Sequence, residues 1–157
     1  MPAQMHTVYL RNMYQENRLR EPGGIELDGV PIDLGKINIP SCFVSAREDH
    51  IAPWKTCYEG VHLIGGRPRF ILGGSGHIAG IINPPSREKY GYWVGDNTPG
   101  TAAEWLDSAE WAPGSWWPEW ERWLAGQESE TVAARQPGDG ALSVIEDAPG
   151  GYVREEA

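Results

Sequence analysis

The sequence predicts an α/β fold whose sheet is incomplete within this chain. Two apolar runs, residues 42–46 and 67–74, flank a helical pattern at 54–64. Together they make strand–helix–strand in about 35 residues, the length of a parallel βαβ unit. One such unit, a short hairpin and a few helices form too small a sheet for an independent α/β domain. We therefore expect the chain to be the end of a larger protein.

The first 35 residues are predicted to form a helix and a hairpin. Residues 4–20 carry apolar side chains at helical spacing, and Pro22-Gly23-Gly24 ends that pattern. Residues 25–34 hold two alternating runs around Asp28-Gly29, which is a strong signal for a two-residue hairpin turn.

The central segment holds the predicted βαβ unit. Pro40 removes a ladder hydrogen bond, so the regular part of the first strand is expected to be CFVSA, residues 42–46. Both strands of a βαβ unit point the same way. Asp49 and His77 should therefore lie just past the carboxyl ends of neighbouring strands, where open α/β sheets place their sites.

The rest of the chain is predicted to be a loop, two helices and a tail. Residues 83–100 are rich in proline, glycine and asparagine and are expected to form the loop. Helical patterns follow at 101–110 and 116–127, with Ser115 as the expected cap of the second. From residue 126 onward the chain is polar and rich in glycine and proline, which favours an extended tail over 126–157.

Composition and charge argue against several classes of partner. The 157 residues carry a net charge of −9, whereas nucleic acids and anionic membranes need clustered lysine and arginine. There is no run of 18 apolar residues and no apolar core of a signal peptide, so a cytoplasmic protein without a membrane span is expected. Six of the eight tryptophans fall between residues 105 and 123, which is more typical of core or interface packing than of a ligand platform.

Asp49 and His77 are the candidate site residues. They are 28 positions apart with one helix and one strand between them, which matches the acid-then-histidine order of α/β-hydrolase triads. In such a pair the carboxylate accepts the Nδ1–H and stabilises the imidazolium, while the other ring nitrogen faces a nucleophile. The alternative is that Asp49 only caps a helix and His77 is only a turn residue.

Other candidates near this pair are weaker. His50 follows Asp49 directly and cannot easily face that carboxylate, so it is expected to pack or hydrogen-bond in the loop. Asp49, His50 and His77 lack the i, i+4 spacing and the soft fourth ligand of a metal site, so no metal is expected. Ser75 is too close to His77 in sequence to present its hydroxyl to that ring, which disfavours a small stand-alone hydrolase.

Four motifs resemble one enzyme family. YLRNMYQENRL at 9–19, REDHIAPW at 47–54, GGSGHIAGIINPP at 73–85 and SWWPEW at 115–120 closely resemble the C-terminal part of class I polyhydroxyalkanoate (poly-3-hydroxybutyrate) synthases. The resemblance covers nearly the whole chain. It implies an α/β-hydrolase catalytic domain with a Cys–His–Asp triad, which transfers 3-hydroxyacyl groups from coenzyme A thioesters to a growing polyester without a cofactor.

The resemblance also implies residue roles, domains and partners. Asp49 matches the catalytic aspartate, which in the family is thought to help activate the hydroxyl of the incoming or growing chain, and His77 matches the histidine that activates the cysteine. Residues 1–125 would be the C-terminal part of the catalytic domain, with 1–35 in its cap region, and 126–157 the tail. The implied partners are hydroxyacyl-CoA, the polyester, and a second copy or the N-terminal part of a synthase, with a location at the polyester granule surface.

The nucleophile is where the sequence departs from the family. The family's cysteine lies in a G-x-C-x-G elbow ahead of the acid, and this sequence has no such elbow. Cys42 in mid-strand and Cys57 in the helix are interpreted as small apolar residues. We therefore expect the chain alone to be inactive, and poorly stable or self-associating, with Met1 an internal methionine or the start of a truncated or split gene. The alternative is a non-enzymatic, synthase-derived module that docks on an intact synthase through its Trp-rich segment.

Overall fold

The chain forms two units in the computed structural model, which describes residues 1–127 and 130–155. The first unit, residues 1–127, contains all the strands and α-helices of the described residues. In chain order they are α1 (Ala3–Tyr9), β1 (Glu26–Leu27), β2 (Val30–Pro31), β3 (Cys42–Ala46), α2 (Trp54–Glu59), β4 (Arg69–Gly73), β5 (Tyr92–Gly95), α3 (Ala102–Ser108), β6 (Glu110–Ala112) and α4 (Trp117–Ala125). Across the described residues, no helix has the length and apolar character needed to cross a lipid bilayer.

A four-stranded mixed sheet, in the order β3-β4-β5-β6, is the centre of the first unit. β3 and β4 are parallel, with Cys42 opposite Arg69 and Ala46 opposite Gly73. Because α2 connects these two strands, the predicted βαβ unit is confirmed, including the bounds of its first strand. β5 and β6 then extend the sheet in antiparallel fashion.

Strands β5 and β6 correct the sequence-based prediction. β5 occurs where residues 83–100 are predicted to be loop, and β6 begins at the last residue of the helix predicted over 101–110 and continues into the break before the second predicted helix. Runs of three or four residues are too short to show an alternating pattern. These strands form because a neighbouring strand pairs with their backbone. Ile71 of β4, for example, pairs with Val94 of β5. The sheet is therefore larger than the two parallel strands that the sequence indicates.

Local caps start the two helices that follow β5. In the first turn of α3, Thr101 Oγ1 accepts the N–H of Glu104, and the Glu104 carboxylate accepts the N–H of Thr101, which is a capping box. α4 begins one residue later than predicted, and Ser115 Oγ accepts the N–H of Trp117 at 3.1 Å. The cap position itself is Trp116, so Ser115 lies one residue before it, although its hydroxyl still binds a first-turn N–H.

Helices cover both faces of the sheet. Side chains of β4 alternate, so Phe70 and Leu72 join the core that α2 and α3 form, whereas Arg69 on the other face pairs with Glu119 of α4. The core is aromatic at its centre. Trp105 is completely buried, and its ring centroid lies 4.8 Å from that of Phe70 in an edge-on contact. This tryptophan has the packing role that the sequence predicts.

The N-terminal segment is less regular than the helix predicted over 4–20. α1 ends at Tyr9, a π-helical turn continues to Gln15, and Asn17 has a left-handed backbone with a φ of 49°. No residue of α1 is buried. A seven-residue helix without a buried residue has too few hydrogen bonds to be extended by its own propensity.

The hairpin predicted over 25–34 is confirmed as a separate two-stranded antiparallel sheet. Leu27 lies opposite Val30, and the turn residues Asp28 and Gly29 have φ values of 50° and 78°. A tight hairpin of this kind needs positive φ at both central positions, which the Asp-Gly pair adopts readily.

The second unit, taken over residues 130–155, has little regular structure. A single turn of 3₁₀ helix at Tyr152–Arg154 is its only regular element among these described residues. Its hydrogen bonds are local: the Glu146 carboxylate accepts the N–H of Gly151 at 2.9 Å. Residues 128, 129, 156 and 157 of the predicted tail lie outside the described residues, and the assignment of domains stays a prediction.

Candidate active site

Asp49 lies in the loop between β3 and α2, and both of its carboxylate oxygens are engaged. Oδ1 accepts the backbone N–H groups of Ile51 and Ala52 at 2.8 and 2.9 Å, while Oδ2 lies 2.7 Å from Nδ1 of His77. The side chain is only 7% exposed. The N–H of Ala52 and then the imidazole of His77 lower the pKa of Asp49 to about 2. Asp49 is therefore a fixed anion at neutral pH.

His77 lies on the turn that follows β4, with its side chain 47% exposed. A carboxylate can only accept a hydrogen bond, so the neutral imidazole carries its proton on Nδ1 and donates it to Asp49. Nε2 is then left as an unprotonated base. The structure thus brings together the two side chains that the sequence places after neighbouring strands, whereas their catalytic role stays a prediction.

Close packing explains why the turn around His77 is rich in glycine. A Cβ on Gly73 would lie 2.5 Å from the carbonyl oxygen of Gly80, and a Cβ on Gly80 would lie 2.6 Å from the Cβ of Ala46. Side chains at these positions would push the turn away from the ends of β3 and β4. The absence of side chains lets the turn approach both strands closely, which places His77 beside Asp49.

The SWW motif at 115–117 contacts the same turn. The indole N–H of Trp116 donates to the Gly80 carbonyl at 3.1 Å, and that of Trp117 donates to the Ile81 carbonyl at 3.0 Å. From the sequence, the Trp-rich segment is interpreted as core or interface packing, with docking on an intact synthase as the alternative. Each bond joins residues 36 positions apart, so no local pattern indicates it.

His50 and Ser75 do not form part of the pair. His50 is exposed, and its side chain makes no hydrogen bond to any described residue, which corrects the expectation that it packs or hydrogen-bonds in the loop. Ser75 is held by its backbone, because its carbonyl accepts the N–H of Glu48 at 2.9 Å. Within residues 1–127 and 130–155, no group of three or more His, Cys, Asp or Glu side chains could hold a metal ion.

Neither cysteine is hydrogen-bonded to His77. Cys42 begins β3, and four residues of extended strand, about 13 Å, separate it from the end of β3 near Asp49. Burial raises the pKa of Cys42 to about 11. The thiol of Cys57 in α2 points to the Ala52 carbonyl, at 3.7 Å. These placements support the interpretation that neither thiol is the nucleophile.

Comparison with known proteins identifies the family. No family model matches the chain. The poly(3-hydroxyalkanoate) polymerase subunit PhaC of Rhizobium etli is 46% identical over 155 residues, which are 99% of this chain and 24% of the relative. The chain belongs to the poly(3-hydroxyalkanoate) polymerase family. Polymerase subunits of the same name from Rhizobium meliloti and Cupriavidus necator are 46% and 42% identical over 100% of this chain, which covers 25% and 27% of them.

The family predicted from the four motifs is therefore confirmed. The chain spans about a quarter of the length of these polymerases and matches their C-terminal part. Assignment to class I, and the roles of Asp49 and His77, stay predictions.

Proposed function

We propose that this chain supplies the acid and the base of a poly(3-hydroxyalkanoate) polymerase, while another segment of the polymerase supplies the nucleophilic cysteine. The observation that carries the proposal is the 2.7 Å contact between the Asp49 carboxylate, whose side chain is 7% exposed, and Nδ1 of the half-exposed His77. It leaves Nε2 unprotonated and open to a partner, which is the arrangement that activates a thiol or a hydroxyl.

In the first half of the reaction, His77 Nε2 accepts the proton of the cysteine thiol. The thiolate attacks the carbonyl carbon of a 3-hydroxyacyl-coenzyme A, the bond from that carbon to the coenzyme A sulfur breaks, and the imidazolium returns its proton to the leaving thiolate. In the second half, a hydroxyl of another 3-hydroxyacyl unit or of the growing polyester attacks the enzyme-bound thioester. His77 takes the hydroxyl proton and passes it to the cysteine sulfur as the new ester forms.

Asp49 is better suited to hold the imidazole than to deprotonate a hydroxyl. Its pKa of about 2 makes it a weak base, and its oxygens already accept hydrogen bonds from two backbone N–H groups and His77. An acceptor held this way fixes the tautomer of the histidine and stabilises the imidazolium. We therefore assign the proton of the attacking hydroxyl to His77, in contrast to the role that the family resemblance implies for the aspartate.

Complementation tests the proposal. The purified chain alone is expected to release no coenzyme A from 3-hydroxybutyryl-CoA, because loss of a triad nucleophile costs about 10⁶-fold in rate. Co-expression with an N-terminal polymerase segment that carries the cysteine elbow should restore release. His77→Ala should abolish it, and His50→Ala, which removes the exposed neighbour, should not. Turnover by the chain alone near that of an intact polymerase would contradict the missing nucleophile.

The same experiment separates a docking module from a catalytic part. If His77→Ala and the unmodified chain stimulate the N-terminal segment equally, the chain acts by binding alone. Docking to that segment, the 3-hydroxyacyl-CoA and polyester substrates, a homodimer and a place at the polyester granule surface all belong to this proposal.

A further inference from the structure

The turn that follows His77 exposes two of its three isoleucines. Its backbone closes on itself, since the N–H of Gly80 donates to the Gly76 carbonyl at 2.8 Å and that of Ile82 to the Ile78 carbonyl at 2.7 Å. Ile78 is 72% exposed and Ile82 is 58% exposed. A segment with few buried apolar contacts opens at a low free energy unless other bonds hold it.

Those bonds come from the segment that leads into α4. Trp116 and Trp117 donate their indole N–H groups to two successive carbonyls of the turn, those of Gly80 and Ile81. The Trp116 ring also lies against β4, because a Cβ on Gly73 would be 3.5 Å from its Cδ1.

The far end of the turn is tied to the same segment. Asn83 is buried, and its side-chain amide donates to the carbonyls of Lys89 and Gly114 at 2.9 and 3.4 Å. The Ser115 hydroxyl in turn accepts the N–H of Trp117. Residues 114–117 thus hold the turn in its middle and at its far end, and they lie at the start of a helix.

We infer that Trp116 and Trp117 are positioning residues for His77, whose turn they hold through their indole N–H groups so that the imidazole stays on Asp49. The Asp49 side of the pair is fixed by its own loop, through the N–H groups of Ile51 and Ala52. Among the described residues, no group other than the Asp49 carboxylate is hydrogen-bonded to the imidazole of His77. An indole suits this task, because it is a rigid plane with one donor and no acceptor. The effect of these two tryptophans on catalysis rests on the proposed function, whereas their effect on the position of the His77 imidazole does not.

The test removes each N–H while keeping an aromatic ring, in Trp116→Phe and Trp117→Phe of the full 157-residue chain. Nitrogen-15 and proton NMR of His77 report its Nδ1–H, which the bond to Asp49 protects from exchange with water. Loss of one hydrogen bond should raise the exchange rate of that proton about two- to tenfold in each variant. A purely structural role would lower the melting temperature but leave this signal unchanged in the folded chain.

Trp120→Phe is the matched control. It lies in the same helix, its ring contacts Trp116 with centroids 6.3 Å apart, and its N–H has no hydrogen-bond partner among the described residues. An unchanged Nδ1–H signal in both Trp116→Phe and Trp117→Phe overturns the inference, as does an equal change in Trp120→Phe.

The unmodified chain offers a measurement that does not depend on how a variant folds. The indole N–H groups of Trp116 and Trp117 should exchange with deuterium more slowly than that of Trp120, and equal rates would contradict the two bonds. Both readouts are independent of polymerisation. An inactive complemented polymerase with the expected NMR changes therefore rejects the proposed function alone, whereas an active one with unchanged signals rejects this inference alone.

Discussion

Two carboxylates with little exposed side-chain surface, Asp49 and Glu119, accept hydrogen bonds at opposite ends of β4. Their side chains are 7% and 5% exposed. Glu119 lies at the amino end, where the guanidinium groups of Arg69 and Arg122 donate to its two oxygens. Asp49 lies at the carboxyl end, where its partners are two backbone N–H groups and the imidazole of His77.

The partner decides what each carboxylate can do. A guanidinium remains protonated at any pH at which the protein is folded, so the Glu119 cluster fixes α4 to the sheet but transfers no proton. An imidazole gains and loses a proton near neutral pH. The same kind of anion is therefore a structural tie at one end of β4 and part of the proposed proton-transfer pair at the other.

The largest expected effect is a difference in catalytic rate between variants at the two ends of β4. In the complemented polymerase, Asp49→Asn should reduce coenzyme A release about 10⁴-fold, because an amide can stabilise the wrong tautomer of His77 and cannot stabilise the imidazolium. The measurement is the initial rate of release from 3-hydroxybutyryl-CoA. Glu119→Gln is the control and should lose activity only as far as it unfolds. A rate for Asp49→Asn within tenfold of the unmodified chain would rule out the assigned role.

The next prediction concerns the thiol at the Glu119 end. Cys42 begins β3 beside Arg69, and burial raises its pKa to about 11. At pH 8 its alkylation by iodoacetamide should be about a hundredfold slower than that of an exposed thiol. The reason is that the thiolate fraction at a fixed pH falls about tenfold for each unit by which the pKa rises. The Cys57→Ser variant isolates Cys42 for mass spectrometry. Fast alkylation of the folded chain would make Cys42 a nucleophile at the end of the sheet away from His77.

Stability should respond more strongly at the Glu119 end. Glu119→Gln should lower the free energy of unfolding by about 1–3 kcal/mol, because it weakens hydrogen bonds between charged groups at a buried site. Asp96→Asn is the matched control. Asp96 also faces Arg69, at 3.5 Å, but it is 84% exposed, so its loss should cost less than about 1 kcal/mol. Urea unfolding measures both variants, and equal losses would contradict the structural role of the buried cluster.

The smallest expected effect is the pH dependence of stability at the Asp49 end. The pKa of Asp49 is lowered to about 2 in the folded chain, and an unfolded aspartate titrates near pH 3.9. The folded state therefore binds the proton less well, and the contribution of Asp49 is fully present above about pH 4 and lost as pH falls towards 2. Urea unfolding at several pH values should show a shallower decline for Asp49→Asn over this range. Identical slopes would contradict the lowered pKa.

Local patterns predicted most of what surrounds Asp49 and His77. The apolar run of β3, the helical run of α2 and the glycines after β4 each specify their element within a few residues, and the order of these elements puts Asp49 and His77 at one edge of the sheet. No local pattern predicts strands β5 and β6, because so few residues form a strand only when a neighbouring backbone supplies hydrogen bonds. The helix predicted over 4–20 is shorter in the structure, where α1 ends at Tyr9 and none of its residues is buried.

By itself, the sequence determined the βαβ unit, the hairpin, the candidate pair and the family. Each of these depends on residue types at short separations or on motifs that can be recognised whole. Only the tertiary structure decided that Trp116 and Trp117 hold the His77 turn and that Arg69 pairs with Glu119. These contacts join residues 36 and 50 positions apart. The physical reason is that a side-chain hydrogen bond needs two groups within about 3 Å, and over such separations that distance is set by how the strands and helices pack.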